Sequence, residues 1–392
     1  ATGRGIYPRE QLEEAARAFA RRLVAFDGLA LAREHGTEVN AILLGALAAS
    51  GALPIRHEAY KHAIEVKGVA VAANLRGFEA GIGVVDGTMP PPAPAVARAL
   101  RTPPQFADAV AHFPEGLRPT VGEALARLID YQDEKYAALY LERLAPFVRP
   151  DIEPELPRLV ARHLAVWMTY EDAIRVADLK TRAGRFERIR AEARVPGGEI
   201  VITDYLRPDL DEIYGILPYR LVARFARWAE RRWPHGRPTL AQHVRTTTIL
   251  GFLRLWLLAR CRWLRPRSYR AQREHERMER WLRAMERSLG WDGALAIEIA
   301  RAAQMVKGYG EVRRRMCGLF DTLLEAVLPM AALEALGRDG VLVATRLAAR
   351  YRGLVLQGPS AEARARALTA DVLARLERGD RAGALAALEP GA

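Results

Sequence analysis

Cysteine is nearly absent, with Cys261 and Cys317 the only two in 392 residues. Two thiols supply neither the ligand set of a cysteine-bound iron–sulfur cluster nor a disulfide framework, and they fit a reducing compartment. Lysine is almost as scarce. It occurs at Lys61, Lys67, Lys135, Lys180 and Lys307, so the formal net charge of +12 is carried almost wholly by arginine. That bias, with abundant Ala and Leu, is what a GC-rich coding sequence produces. Charge alone is therefore weak grounds for a nucleic-acid partner, which needs arginines gathered on one face. No stretch reaches the roughly 18 apolar residues of a membrane span. The nearest, Ile249 to Leu258, contains Arg254. The opening residues lack the pattern of a secretory leader, and the expectation is a cytoplasmic chain. A glycine-rich phosphate loop and an acid–base or nucleophile constellation are also missing. The histidines are scattered, and His57 and His62 are five apart rather than the three or four that align ligands on a helix face.

What remains is helical pattern. The stretch Arg162 to Arg190 reads as one long helix, with Leu164, Trp167, Met168, Ile174, Phe186 and Ile189 as an interrupted apolar stripe. Its centre is polar: Tyr170, Glu171, Asp172, Arg175, Asp178, Lys180 and Arg182. Glu171 and Arg175 are four apart, as are Asp178 and Arg182, which places each pair on one face. Two readings stand, ion pairs on a solvated face and a structural polar network buried in the domain or against a partner.

From Ile6 to Val85 short helices follow one another. Ala15, Phe19, Leu23 and Phe26 recur at helical spacing, and Thr37 is a candidate N-cap for a helix that stops at Gly51. Further helices end at Gly68 and carry Leu75 and Phe78 inward. Asn40 and Asn74 sit in apolar runs, where an amide must find partners. Gly45 and Gly81 leave room for close backbone approach. With hardly a strand among them, and with Ala1 rather than methionine at the start, these helices suit the tail of an α/β domain whose sheet lies upstream. Asp86 to Pro94, DGTMPPPAP, is an extended linker. A short helix is expected over Val96 to Leu100, and Thr120 with Glu123 forms a capping-box pattern.

Gly197-Gly198 precedes the one clear strand pattern, EIVIT, whose partner is expected near Arg194 and Val195 or on another chain. Six of seven tryptophans fall between Trp228 and Trp291, interleaved with arginines. Cation–π packing inside a helical domain competes there with a membrane-surface helix and with nucleic-acid stacking. The apolar residues of RLWLLARCRWL are too continuous for a surface helix, which favours burial. Val312 to Val327 gives the cleanest amphipathic helix. Arg313, Arg314 and Arg315 occupy its first turn, where the helix dipole disfavours cations. Either an acidic group nearby (Glu311, another chain or a phosphate-bearing ligand) offsets them, or they point into water. From Gly337 an Ala/Arg/Leu-rich helix pair, divided at Gly358-Pro359, reads as peripheral.

The blocks NAILLGALAASGALP from Asn40, AIEVKG from Ala63 and NLRGFEAG from Asn74 resemble the end of the gamma domain of 2-oxoacid:ferredoxin oxidoreductases. LIDYQD from Leu128, YEDAIRVADLK from Tyr170, RPRSYR from Arg265 and VKGYGEVRRR from Val306 are similar to the C-terminal domain of the long bacterial indolepyruvate ferredoxin oxidoreductase beta subunit. The G-x-G-G-Q-G turn that opens such gamma domains is not in this sequence. The resemblance implies a mainly α chain in three parts. Residues 1–86 would be the C-terminal part of a gamma domain whose sheet-forming part lies elsewhere, residues 87–118 a Pro-rich linker and residues 119–392 a largely helical C-terminal domain with at most a small β element.

The resemblance further implies a subunit without activity of its own. It would dock on an alpha subunit that holds thiamine diphosphate and iron–sulfur clusters and converts aryl pyruvate and coenzyme A to aryl-acetyl-CoA, CO2 and reduced ferredoxin. No cofactor or metal is expected in this chain. Its partners would be that alpha subunit, the N-terminal half of the gamma domain and, through the complex, ferredoxin. The alternative is a basic helical protein that binds nucleic acid or an anionic membrane. Residues singled out for an interface or polar network are Asn40, Gly45, Asn74, Tyr170, Asp172, Arg175, Asp178, Lys180, Lys307, Tyr309, Glu311 and Arg313.

Overall fold

Residues 9–90, 101–193, 200–332 and 337–389 are described by a computed structural model. Among them the chain is mainly α-helical, with one two-stranded ribbon. In chain order the helices are α1 (Arg9–Phe19), α2 (Gly28–His35), α3 (Val39–Ala49), α4 (His57–Lys67), α5 (Val71–Asp86), α6 (Ala107–Ala111), α7 (Arg118–Tyr131), α8 (Glu134–Leu144), α9 (Glu155–Met168), α10 (Ala173–Thr181) and α11 (Ala183–Ala193). After strand β1 (Thr203–Leu206) come α12 (Leu210–Gly215) and α13 (Tyr219–Arg232), then strand β2 (Gln242–Arg245). The rest are α14 (Ile249–Arg260), α15 (Tyr269–Leu289), α16 (Gly293–Ala302), α17 (Gly310–Ala332), α18 (Gly337–Gln357), α19 (Pro359–Glu377) and α20 (Arg381–Ala386). The chain divides into a smaller unit, residues 1–98 with 183–200, and a larger one, residues 99–182 with 201–392. The helix expected over Val96 to Leu100 and the strand partner expected near Arg194 and Val195 lie outside the described residues.

In the smaller unit α3 packs on α5 with almost no side chain between them. A Cβ on Gly45 would sit 2.0 Å from the Phe78 carbonyl oxygen, and one on Gly81 would sit 2.1 Å from that of Ile42. The glycines thus give the close backbone approach expected of them, and Ile42 and Phe78 are fully buried beside them. α1 ends at Phe19 and leaves Leu23 and Phe26 beyond it. Asp27 caps α2 by accepting from the Ala30 N–H, and left-handed Gly36 closes it. Thr37 does not cap α3: Glu38 occupies that position, and the Thr37 hydroxyl has no hydrogen-bond partner. Gly51 and Gly68 terminate α3 and α4 in left-handed conformation.

The larger unit is built around one core shared by α7, α8, α9 and α15 to α20. Trp281 lies fully buried on α15, its indole N–H donating to the Ile299 carbonyl at 2.8 Å, with the Trp167 ring against it and Phe320 edge-on to Trp167. Tryptophan suits such a centre because it fills volume while its one polar group finds an acceptor. The helices after Gly337 are not peripheral. Val343, Leu347 and Tyr351 on α18 are completely buried in the same core, opposite the arginine-rich side that made them look polar.

Three further expectations are corrected here. The long helix from Arg162 to Arg190 is three helices: Thr169 closes α9, Asp172 starts α10 by accepting from the Arg175 N–H at 2.6 Å, and an extended Arg182 separates α10 from α11. Thr120 and Glu123 fall inside α7, which begins at Arg118; a capping box is instead made by Asp209 and Glu212 at the start of α12. The strand lies at Thr203–Leu206, shifted from EIVIT, and pairs antiparallel with β2 so that Asp204 faces Val244.

Candidate functional site

The broken helix gathers charged groups into the interior of the larger unit. At the break, Asp172 is almost fully buried and meets an equally buried Arg265, which donates from Nε at 2.7 Å and from Nη2 at 3.2 Å. Arg265 Nη1 donates to the Tyr131 carbonyl and the Gln132 amide oxygen, and its guanidinium lies 4.1 Å from the Tyr131 ring centre. Bidentate geometry plus two further acceptors is what a buried arginine needs to offset its desolvation. Tyr170 is buried edge-on to Tyr131, and the Arg270 guanidinium lies over its ring.

Arg270 opens onto a cleft of about 320 Å³ lined by segments of α12, α13, α15 and α17. At its floor Glu274 accepts from Arg313 at 3.0 and 2.7 Å and from the Trp167 indole at 2.9 Å. Burial by itself would raise this carboxyl, but Arg313, its hydrogen bonds and Arg270 hold it down at about 2. Along one wall Arg314 Nη1 donates to Asp209 and Asp211 at 2.7 and 2.6 Å. Burial and the hydrogen-bonded Asp209 push the Asp211 carboxyl up to about 6. Arg237 donates to the Tyr214 hydroxyl and lies 3.3 Å from Asp211, while Arg277 pairs with Asp321. Arg315 pairs with Glu362.

The three arginines that open α17 therefore meet acids of this same chain, from α15, from the Asp209–Asp211 segment and from α19. Arg270 is different. Among the described residues its nearest carboxylate, Glu274, is 3.9 Å away, and no hydrogen bond ties its guanidinium.

The singled-out residues separate into three groups. Tyr170, Asp172 and Arg313 join the buried network, and Tyr309 donates to Glu171 at its edge. Arg175 bridges Asp178 and Asp130, Arg182 reaches the same two carboxylates, and Lys180 meets the buried Asp204 at 2.6 Å. Glu171 and Arg175 therefore do not pair. Lys307 and Glu311 are exposed, Glu311 3.9 Å from His235. Asn40, Gly45 and Asn74 belong to the smaller unit; Asn40 is exposed, and the Asn74 amide donates to the Val69 carbonyl at 2.9 Å. Arg265, Glu274, Arg270 and Asp211 were not foreseen as site residues. Only the D-x-x-E spacing from Asp209 to Glu212 carried a local signal for any of this wall. Among the described residues no group of three or more His, Cys, Asp or Glu side chains could hold a metal ion, and no helix is long and apolar enough to cross a membrane.

The protonation pattern predicts loss of stability in acid. Burial, aided by Arg162, pushes His163 down to about 4, and burial, aided by Arg143, does the same to His275. His275 Nδ1 sits 2.8 Å from the Arg143 guanidinium, where a neutral ring accepts. Their contribution is full above about pH 6.5 and is lost as the pH falls to about 4, since the unfolded chain takes up those protons first. Asp211 works oppositely, because its raised carboxyl favours the folded state below about pH 6. The net loss between pH 7 and 4.5 should be on the order of 3 kcal/mol, read from urea midpoints. Asp211→Asn should steepen it, and a flat profile in both proteins would contradict the buried neutral histidines.

No curated protein and no solved structure matches the chain. Residues 117–326, more than half of the chain and spanning both the buried network and the cleft, match the family described as "Family of unknown function (DUF6537)". The chain belongs to that family.

Proposed function

We propose that this chain is the non-catalytic beta subunit of an aryl-pyruvate:ferredoxin oxidoreductase. In this reading it docks on a large cytoplasmic alpha subunit that carries thiamine diphosphate and iron–sulfur clusters and hands electrons to ferredoxin. Residues 1–86 would complete a gamma domain whose sheet is supplied by residues outside this sequence. The support from sequence is the ordered set of blocks from Asn40 to Arg315 that resemble such subunits.

The observation that carries the reading is the uncovered side of α14. Leu255 turns inward with Ala177 and Val244, whereas Ile249 and Leu250 are 85% and 80% exposed, and Leu253 and Leu257 share their side. Within the run RLWLLARCRWL, expected to be buried for its continuous apolarity, Leu255 is buried but Leu257 and Trp263 are exposed. Arg254 and Arg260 are exposed at its margins. An apolar stripe with a charged rim fits a protein interface.

The test is purification of the untagged chain from its own cell extract. Co-elution with a large subunit that carries thiamine diphosphate and iron–sulfur absorbance is expected. Leu253→Glu should weaken that association about tenfold or more while leaving the melting of the isolated chain nearly unchanged. A chain that elutes alone from extract, with no such subunit, sinks the reading. A second reading draws on the same stripe: an apolar face flanked by arginines also suits an anionic bilayer surface. Sedimentation with phosphatidylserine vesicles, lost in Leu253→Glu, would favour it.

A further inference from the structure

We infer that the cleft between α15 and α17 is a binding site for a small ligand bearing an oxyanion, a carboxylate or a phosphate, with Arg270 as its principal contact. The inference is independent of the subunit reading and rests on three features of the larger unit.

The first is the state of the arginines. Arg313, Arg314, Arg237 and Arg277 each hold a carboxylate at hydrogen-bonding distance or close to it. Arg270 faces the same space with only a 3.9 Å approach to Glu274, an acid already engaged by Arg313 and Trp167. A guanidinium is a planar fork of five donors and matches a carboxylate or phosphate edge with two of them. Its guanidinium carbon lies 5.5 Å from the centre of the buried Tyr170 ring, a cation–π contact that leaves its N–H donors unused.

The second is the approach. On α15, Arg270, Arg273, Arg277 and Arg280 recur at three- and four-residue spacing and form one ridge. A second open hollow along this ridge, lined by Arg273, Arg277, Arg280 and Arg283 with Glu276 and Asp321, holds four cations against two carboxylates and so keeps a net positive charge. Basic groups in series beside a partly enclosed cavity concentrate anions at its mouth.

The third is Gly318, in the interior of α17 on the wall of the cleft. A Cβ there would meet nothing within 4 Å, so packing does not require glycine. Glycine in a helix interior costs roughly 1 kcal/mol relative to alanine. Here it keeps the cavity open, at a size in the lower range of small-molecule sites. Glu274, Asp211 and Asp321 are each paired with an arginine. The other two lining acids, Glu212 and Glu230, accept from the Asp209 N–H and the Tyr269 hydroxyl. At the floor an entering anion therefore meets Arg270 without an unpaired acid opposing it.

Titration calorimetry of the full chain at low ionic strength with benzoate and, separately, pyrophosphate tests this. Saturable binding of at least one probe is expected, and the stronger of the two identifies the carboxylate or the phosphate class. Arg270→Met should weaken it about tenfold or more, the loss of one bidentate charged contact. Gly318→Leu, which fills the cavity without touching a charge, should abolish it, while Arg338→Met, exposed on α18, should leave it unchanged. Circular dichroism confirms that each variant is folded. Failure of both probes to saturate, or equal affinity in the parent, Arg270→Met and Gly318→Leu proteins, overturns the assignment.

Discussion

Glu274→Ala should destabilise the larger unit by about 3–5 kcal/mol, the cost of stranding one partner of a buried ion pair. Glu274 is the acceptor for two Arg313 donors and for the Trp167 indole. Without it a guanidinium and an indole N–H remain beneath the cleft with no acceptor, and Trp167 is also a wall of the Trp281 core. Glu274→Gln should cost less, because the amide oxygen still accepts from Trp167. The comparison that isolates burial is Arg273→Ala on the same helix. Arg273 meets Glu276 at 3.3 Å with both side chains about half exposed, and losing such a pair costs about 0–1 kcal/mol. Denaturant unfolding of the three variants gives the ordering. Equal losses for Glu274→Ala and Arg273→Ala would mean that the network is solvated.

In the smaller unit the largest effect belongs to Gly45. Alanine ordinarily stabilises a helix interior by about 1 kcal/mol over glycine. At Gly45 the added methyl would lie 2.0 Å from a main-chain oxygen of α5, far inside contact distance, so the helices must separate. Overpacking of this kind costs about 1–3 kcal/mol, and more where the obstacle is backbone rather than a side chain able to move. Ile42 and Phe78 would lose contact as the helices part. Gly318→Ala is the matched control: the same chemical change, also inside a helix, into open space. The expected outcome is opposite signs, with Gly45→Ala melting earlier and Gly318→Ala slightly later.

These features differed in how far the sequence disclosed them. The close approach at Gly45 and Gly81 was legible because a glycine inside an apolar helix leaves room for a neighbouring backbone. The ends of α3 and α4 were legible from Gly51 and Gly68, and the seam of α17 from its apolar spacing. Polar residues at the centre of the supposed long helix were visible, but their meaning was not. Tyr170 and Asp172 read as helix interior because nothing local reveals that Asp172 caps α10 while holding Arg265, 93 positions later. Arg313 to Arg315 signalled a need for acids, and the suppliers, Glu274, Asp209, Asp211 and Glu362, lie in segments that only the fold brings near. The exposure of Leu257 and Trp263 in the run RLWLLARCRWL was misjudged for a related reason. Continuous apolarity distinguishes a buried helix from a surface one only when no partner is expected to cover it.

The ribbon of β1 and β2 carries a consequence for the order of folding. Its strands are about 40 residues apart, and a pair of four-residue strands has little stability of its own. What holds it is Asp204, which accepts from Lys180 on α10 and from Thr246 just beyond β2. α14 follows within three residues, started by the Thr248 hydroxyl. Closing so long a loop is an entropic cost that precedes its reward. The ribbon, and the seating of α14 on α10 that depends on it, should therefore form late, after α10 has settled. Amide exchange would then show Thr203–Leu206 and α14 opening together at a lower free energy than α15 or α16. The helix α14 would be the last part of its unit to be locked in place and the first to be released.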